Sequence, residues 1–198
     1  MDQQLSLFES RRPDGGKYSF FLALFPDPNI AEQMIELGNT IRRENGMHGR
    51  LRPLSHLHVS LHFFGYGSDI SEALAAILTP TCKAVATQTP PFDIESDCAM
   101  SFRGRPGNNP LVLKGDDQKN MALKKLHQSL EVQLVKNRLS SRPNNKFVPH
   151  VTLLYDRQLL APTPIDPVTW RVEEIVLVRS EVGVTKYERP GRWRLGGC

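Results

Sequence analysis

Long apolar runs are absent from this chain. No stretch of its 198 residues approaches the roughly 18 apolar residues that a membrane-crossing helix needs. The opening MDQQLSLFES has neither the basic start nor the apolar centre of a secretion signal. Cysteine is scarce. Cys82, Cys98 and Cys198 are odd in number and share no metal-ligand spacing, which argues against a disulfide framework and a cysteine-built metal centre. These absences suggest a cytoplasmic protein with reduced thiols. Strong charge of one sign is missing too. Lys+Arg 25 against Asp+Glu 21 leaves +4, a mild basic bias that suits an anionic partner such as RNA but is no polybasic tract.

What is present is enough chain for one large domain or two small lobes. Residues 1–16 are polar, end in RRPDGG and read as a tail; residues 17–198 read as a single folded domain. YSFFLALF (18–25) has the composition of a buried strand. Asn29, with Glu32 three residues on, forms a capping box that opens a helix to about Glu44. Asp69 and Glu72 form a second box, opening the helix EALAAILTPTCKAVA, which Pro80 should kink or end. FDIESDCAMSF (92–102) is strand-like, FRGRPGNNP (102–110) is a basic loop, and PLVLKG is a short strand. Leu123, Leu126, Leu130 and Leu134 make a helical stripe to about Lys136. SSRPNNK is a loop, WRVEEIVLVRS (170–180) is another strand, and KYERPGRWRL pairs at a sheet edge.

One phrase is written twice. HLHVSLHFFG occupies 56–65 and FVPHVTLL occupies 147–154, so His58-Val59-Ser60-Leu61 is echoed by His150-Val151-Thr152-Leu153. From His56 to Phe63 polar and apolar residues alternate, the period of a half-buried strand. Alternation sets His56, His58, Ser60 and His62 on one face and Leu57, Val59, Leu61 and Phe63 on the core face. In each copy an imidazole and a hydroxyl stand two residues apart, roughly 7 Å along a strand and pointing the same way. Two similar lobes with the motif strands side by side across a cleft would explain the duplication. The expected fold is therefore α+β and bilobal, each lobe a mostly antiparallel sheet with flanking helices, the active-site cleft between them.

Histidine titrates near neutrality, with an ordinary pKa of about 6.5, so two facing histidines can act as base and acid. The hydroxyls of Ser60 and Thr152 can donate to phosphate oxygens where charge builds. The reaction this suits is in-line attack on a phosphodiester, with no metal required. A bland alternative makes His58 and His150 interior histidines. Another makes His56, His58 and His62 a metal site, because His-x-His on a strand is a common ligand geometry. His62 is expected to line the cleft or sit on the surface, His127 and His48 to be solvated, and Phe63 to be core; Phe63, Phe64 and Phe147 are the candidates for stacking on a base.

The two phrases resemble the paired HxTx signatures of the 2H phosphoesterase superfamily and, more narrowly, those of the bacterial 2′-5′ RNA ligase family. SFFLALFPD resembles that family's opening strand and turn, and KYERPGRWRL its Tyr-containing, Trp-Leu ending. The resemblance implies cofactor-free hydrolysis of an RNA 2′,3′-cyclic phosphate to a 2′-phosphate, with 2′-5′ ligation as a slow reverse reaction. It carries catalytic roles to His58, Ser60, His150 and Thr152; His58 is favoured as the acid that protonates the leaving 3′ oxygen and His150 as the base. Two positions depart from the pattern. Tyr155 stands where many relatives carry arginine five residues after the second histidine, and Ser19 where an arginine often opens the first strand. Tyr155 is expected to border the phosphate, and the clamping cation to come from Lys146, Arg142, Arg103 or Arg105. The competing functions are a cyclic phosphodiesterase for a small nucleotide-derived cyclic phosphate and a non-catalytic RNA-binding module. A monomer is expected. Finally, Gln4-Leu5-Ser6-Leu7-Phe8 resembles the short peptide by which bacterial proteins dock on the replication sliding clamp.

Overall fold

The computed structural model describes residues 17–68, 71–141, 144, 146–184 and 186–197. The tail with Gln4, Leu5, Leu7 and Phe8 lies outside these residues, as do Asp69 of the second capping box and Arg142. The strands are β1 (Tyr18–Leu24), β2 (Val59–Gly67), β3 (Phe92–Ser101), β4 (Asn109–Lys114), β5 (Val151–Asp156), β6 (Thr163–Val172), β7 (Glu174–Glu181) and β8 (Tyr187–Arg194). The helices are α1 (Pro28–Glu44), α2 (Ser71–Gln88) and α3 (Met121–Lys136), with a short 3-10 turn at Leu54–His56.

All eight strands join one antiparallel sheet in the order β6-β3-β4-β5-β2-β1-β7-β8. The expected two lobes are its two four-stranded halves. They meet between β5 and β2, the motif strands, at the single paired position Val59↔Val151. Each half contains the same unit: two neighbouring antiparallel strands with a helix in the connection, β1-α1-β2 in one and, with β4 next to β5, β4-α3-β5 in the other. Glu173 alone separates β6, at one edge, from β7 in the other half, so the sheet curls until its far ends approach.

The three helices share one continuous core with one face of the sheet. Met34 and Ile41 of α1, Leu74, Leu78 and Cys82 of α2, and Leu123, Leu126, Leu130 and Leu134 of α3 meet Phe20, Leu22 and Leu24 of β1 there. Each such leucine or phenylalanine contributes about 1.5–3 kcal/mol by leaving water. Alternation along β1 sends Phe21 and Ala23 to the opposite face, where they pack with Val176, Val178, Phe25 and Tyr187. Among the described residues no helix packs on that second face, which carries the candidate site.

Four local expectations change. The cap of α1 is Asp27, not Asn29: its carboxylate accepts from the Ile30 N–H at 3.0 Å and Pro28 opens the helix. Proline is suited to the first helical position, which moves the boundary upstream of the capping box. Pro80 neither ends nor divides α2, because buried residues continue on both sides of it, Leu74 and Leu78 before, Cys82 and Val85 after. Their packing offsets the roughly 3 kcal/mol that proline costs inside a helix. The strand read at 170–180 is two strands, and β6 starts earlier, at Thr163. Its Pro164 and Pro167 are tolerated because β6 is an edge strand. His127 is buried rather than solvated, with its ring stacked on Phe147 at 3.8 Å.

Candidate active site

The pairing of Val59 with Val151 organises the site. Both valines are buried on the helix side, so their neighbours His58, Ser60, His150 and Thr152 face the cleft. Continuing the antiparallel register sets His58 opposite Thr152 and Ser60 opposite His150. The two rings are held by the same device. His58 Nδ1 lies 2.7 Å from the carbonyl of His56, and His150 Nδ1 lies 2.7 Å from the carbonyl of Val148, in each case two residues back. A carbonyl only accepts, so Nδ1 carries the proton and Nε2 is presented to the cleft. His58 Nε2 lies 3.0 Å from the Ser60 hydroxyl oxygen. Phe21 stacks on His58 at 5.0 Å, and Phe102 meets the His150 ring edge-on at 5.0 Å.

The alternation from His56 to Phe63 does not survive as one strand. His56 lies in the 3-10 turn and is buried, and β2 begins only at Val59. A bulge follows Ser60: Ala23 pairs with Ser60 but Leu22 with His62, leaving Leu61 extra. The bulge turns His62 to the helix side, so it does not line the cleft. Its Nδ1 lies 2.5 Å from the buried Glu131 carboxylate, which also accepts from the Asn144 N–H at 2.7 Å. The same bulge brings Phe63 out of the expected core and into the cleft wall, 48% exposed. β5 repeats the device: Val112 pairs with Thr152 but Leu111 with Leu154, Leu153 is extra, and Tyr155 emerges on the cleft side, 41% exposed. Phe63 and Tyr155 are therefore equivalent positions on the two sides of the site. The trio His56, His58 and His62 does not converge, and no group of three or more His, Cys, Asp or Glu among the described residues is placed to hold a metal ion.

Beyond Val151 the edge of β5 is taken over by residues 51–52. Leu51 bridges to Leu154, and the Arg52 N–H donates to the Leu153 carbonyl at 2.7 Å. The Arg52 side chain enters the cleft lining, where one terminal nitrogen donates to His56 Nδ1 and to the Tyr187 hydroxyl, both at 3.2 Å. His56 and Tyr187 are themselves stacked, 3.7 Å between centroids and 9° between planes. The candidate cations Lys146, Arg103 and Arg105 are exposed and outside the cleft lining. Sequence reasoning missed Arg52, and it read His56 as a possible metal ligand rather than as the acceptor that holds Arg52; Tyr187 belongs to the closing KYERPGRWRL, whose only sequence signal is a resemblance.

The cleft holds about 290 Å³ and is completed by Ser19 and Ser180. Among the described residues no carboxylate lines it. Burial drives the His58 pKa down to about 4 against the opposing bond to the His56 carbonyl, and the Arg52 charge adds to the fall. Burial also lowers His150, opposed by its bond to the Val148 carbonyl. Burial and the charges of Arg52 and Arg189 bring His56 down to about 4. All three rings are thus neutral at neutral pH.

Comparisons with known proteins bear on the family and the fold. A family model described as the 2′-5′ RNA ligase superfamily matches residues 26–184. The structure of TT0787 from Thermus thermophilus superposes with a TM-score of 0.68 at 20% identity, covering 90% of this chain and 98% of that one. Escherichia coli LigT, in its complex with NADP+, gives a TM-score of 0.68 at 25% identity, covering 91% of this chain and 99% of the other. Kluyveromyces marxianus Usb1 with uridine monophosphate shares the fold at a TM-score of 0.50 and 13% identity, covering 90% and 100%. No curated protein matches. With four-fifths of its length matched by the family model, and with both motif histidines presented to one cleft, the chain belongs to the 2′-5′ RNA ligase superfamily of 2H phosphoesterases.

Proposed function

We propose that the protein hydrolyses RNA 2′,3′-cyclic phosphate ends to 2′-phosphates through His58 and His150. The observation that carries this reading is the matched pair of histidines, each with Nδ1 tied to a carbonyl and Nε2 facing a shared cleft. Structures of E. coli LigT with 3′-AMP and with phosphate support a phosphate-bearing ligand for this fold. The His150 Nε2 takes a proton from water as the water oxygen bonds to phosphorus. The bond from phosphorus to the 3′ oxygen breaks, and His58 Nε2–H delivers the proton to that oxygen. Ser60 and Thr152 donate to the non-bridging oxygens, where transition-state charge is greatest. The exposed rings of Phe63 and Tyr155 offer flat apolar surface to the attached nucleosides.

This division of labour makes one demand. His58, with a pKa of about 4 in the unliganded cleft, must take up a proton when the phosphate binds. A bound anion beside the ring raises its pKa and supplies that change. The test is incubation with a short RNA ending in a 2′,3′-cyclic phosphate, with and without chelator, and identification of the product. A 2′-phosphate is expected in both. His58→Ala and His150→Ala should each reduce kcat/KM by about 10²–10⁴ while the protein stays folded. Near-normal turnover by either variant would sink the two-histidine mechanism. Substrates with a good leaving group should rescue His58→Ala and not His150→Ala; the opposite pattern exchanges the acid and the base.

A further inference from the structure

Among the described residues, Arg52 is the sole lysine or arginine in the lining of the cleft. No carboxylate among them pairs with it, and its remaining terminal nitrogen and its Nε have no hydrogen-bond partner there. The nitrogen that is engaged is held by two neutral acceptors, His56 Nδ1 and the Tyr187 hydroxyl. His56 is fixed in turn, because its ring is buried and stacked face to face on Tyr187. Arg52 is half-buried, and withdrawing a guanidinium from water without a carboxylate beside it costs free energy. This one is oriented by neutral groups and keeps its charge uncompensated, with its free donors beside both motif strands. A second cation near this end of the cleft, Arg189, lies over the Phe25 ring and donates to the Ser55 carbonyl, outside the lining.

We propose that Arg52 is the anion receptor of the cleft, binding a non-bridging oxygen of the substrate phosphate while His56 and Tyr187 hold it in place. The backbone supports this position. Arg52 is carried on the segment that replaces β2 along the β5 edge, so its side chain enters next to Thr152 and Tyr155. It therefore supplies from a different strand register the cation that position 155, a tyrosine, lacks. The planar guanidinium suits the task because it can spend one nitrogen on its tethers and still offer donors to phosphate. A lysine would make both tethers and the phosphate contact from one nitrogen, which leaves a single N–H for the anion and no planar fork.

The proposal rests on the phosphoester reading, but inorganic phosphate tests it without turnover. Phosphate binding to the full chain is measured by calorimetry for the wild type, Arg52→Gln, Arg52→Lys and the control Lys83→Gln, which alters an exposed lysine of α2 outside the cleft. The expected result is at least tenfold weaker binding in Arg52→Gln, a smaller but clear loss in Arg52→Lys, and no change in Lys83→Gln. In parallel, the His58 ring is titrated by NMR. Removing the Arg52 charge should raise its pKa, a shift that loss of packing alone would not produce together with an unchanged melting temperature. Should Arg52→Gln prove poorly folded, rescue of phosphate binding in Arg52→Ala by added guanidinium decides the matter, and failure of rescue overturns the proposal. Equal phosphate affinity in wild type and Arg52→Gln also overturns it, as does failure of the wild type to bind phosphate at millimolar concentration. Arg52-dependent phosphate binding without hydrolysis of the cyclic end would leave the receptor standing and remove the hydrolase reading. Hydrolysis with unchanged phosphate affinity in Arg52→Gln would do the reverse.

Discussion

His58 and His150 are held alike, yet their surroundings differ. His58 sits under Phe21 and feels Arg52, whereas His150 meets the edge of Phe102. In the proposed mechanism the Arg52 charge alone favours the neutral ring of His58, so the acid role there depends on the phosphate that binds beside it. The duplicated histidines and hydroxyls could be read from sequence because the phrase is local and repeated. Arg52 could not: no motif surrounds it, and its importance comes from meeting Tyr187, 135 residues away. Tyr155 offers a residue-scale test. It stands at the cleft wall with its ring 41% exposed and brings no charge. Tyr155→Arg should add a second cation and tighten phosphate binding about three- to tenfold, the gain expected of a charge near the protein surface. A calorimetric titration that finds unchanged or weaker binding would place the phosphate away from the Tyr155 side.

At the scale of elements, the site depends on irregularities more than on regular strands. The bulges after Ser60 and Thr152 decide that Phe63 and Tyr155 face the cleft and that His62 does not. Strict alternation misplaces both Phe63 and His62 because a single extra residue reverses every later side chain. The strands and helices themselves were legible, since each carries its own period. The break at Glu173 and the takeover of the β5 edge by residues 51–52 were not, since both depend on distant chain. That takeover is pinned by Asp156, whose carboxylate accepts from the His48 and Gly49 N–H groups at 2.7 and 2.5 Å. Burial pushes this carboxyl up, but the backbone N–H groups around it outweigh burial and hold it below the ordinary value. Gly49 is required for the approach, because a Cβ there would lie 2.1 Å from the Tyr155 carbonyl oxygen. Gly49→Ala should therefore lift residues 49–52 off β5 and lower phosphate affinity as Arg52→Gln does, while His58 and His150 keep their NMR tautomers. Phosphate affinity equal to wild type in a folded Gly49→Ala protein would show that the segment does not position Arg52.

The whole molecule stores its polar groups in one protonation state, and this predicts how it fails in acid. His56 and His58 are held down to about 4, and His127 and His150 are also lowered, chiefly by burial. In the unfolded chain these rings titrate near 6.5. Between those values the unfolded state binds more protons, so stability is full above about pH 6.5 and falls as pH drops toward 4. The contribution of His56 or His58 is at most about 3 kcal/mol each over that window. Glu131 and Asp156 act at lower pH. Burial raises the Glu131 pKa, but the hydrogen bond from His62 and the other charges and donors around it keep it below normal. Both carboxylates thus stabilise the fold above their unfolded pKa and lose that effect as pH falls through their folded values. The carboxylates act at two places: Glu131 joins α3 to the back of β2, and Asp156 joins β5 to the Arg52 segment. Acid should accordingly loosen the fold in two stages. Thermal melts from pH 8 to pH 3 should show the melting temperature nearly flat above pH 6.5, falling by about 10 °C between 6.5 and 4 at roughly 2–4 °C per kcal/mol, and falling further below 4. His56→Phe keeps a ring against Tyr187 without a titrating nitrogen, so it should make the first stage shallower by the share of that one histidine and leave the second. A melting temperature that stays level from pH 7 to pH 4, or a first stage unchanged by His56→Phe, would show that the neutral histidines are not what the fold loses in mild acid.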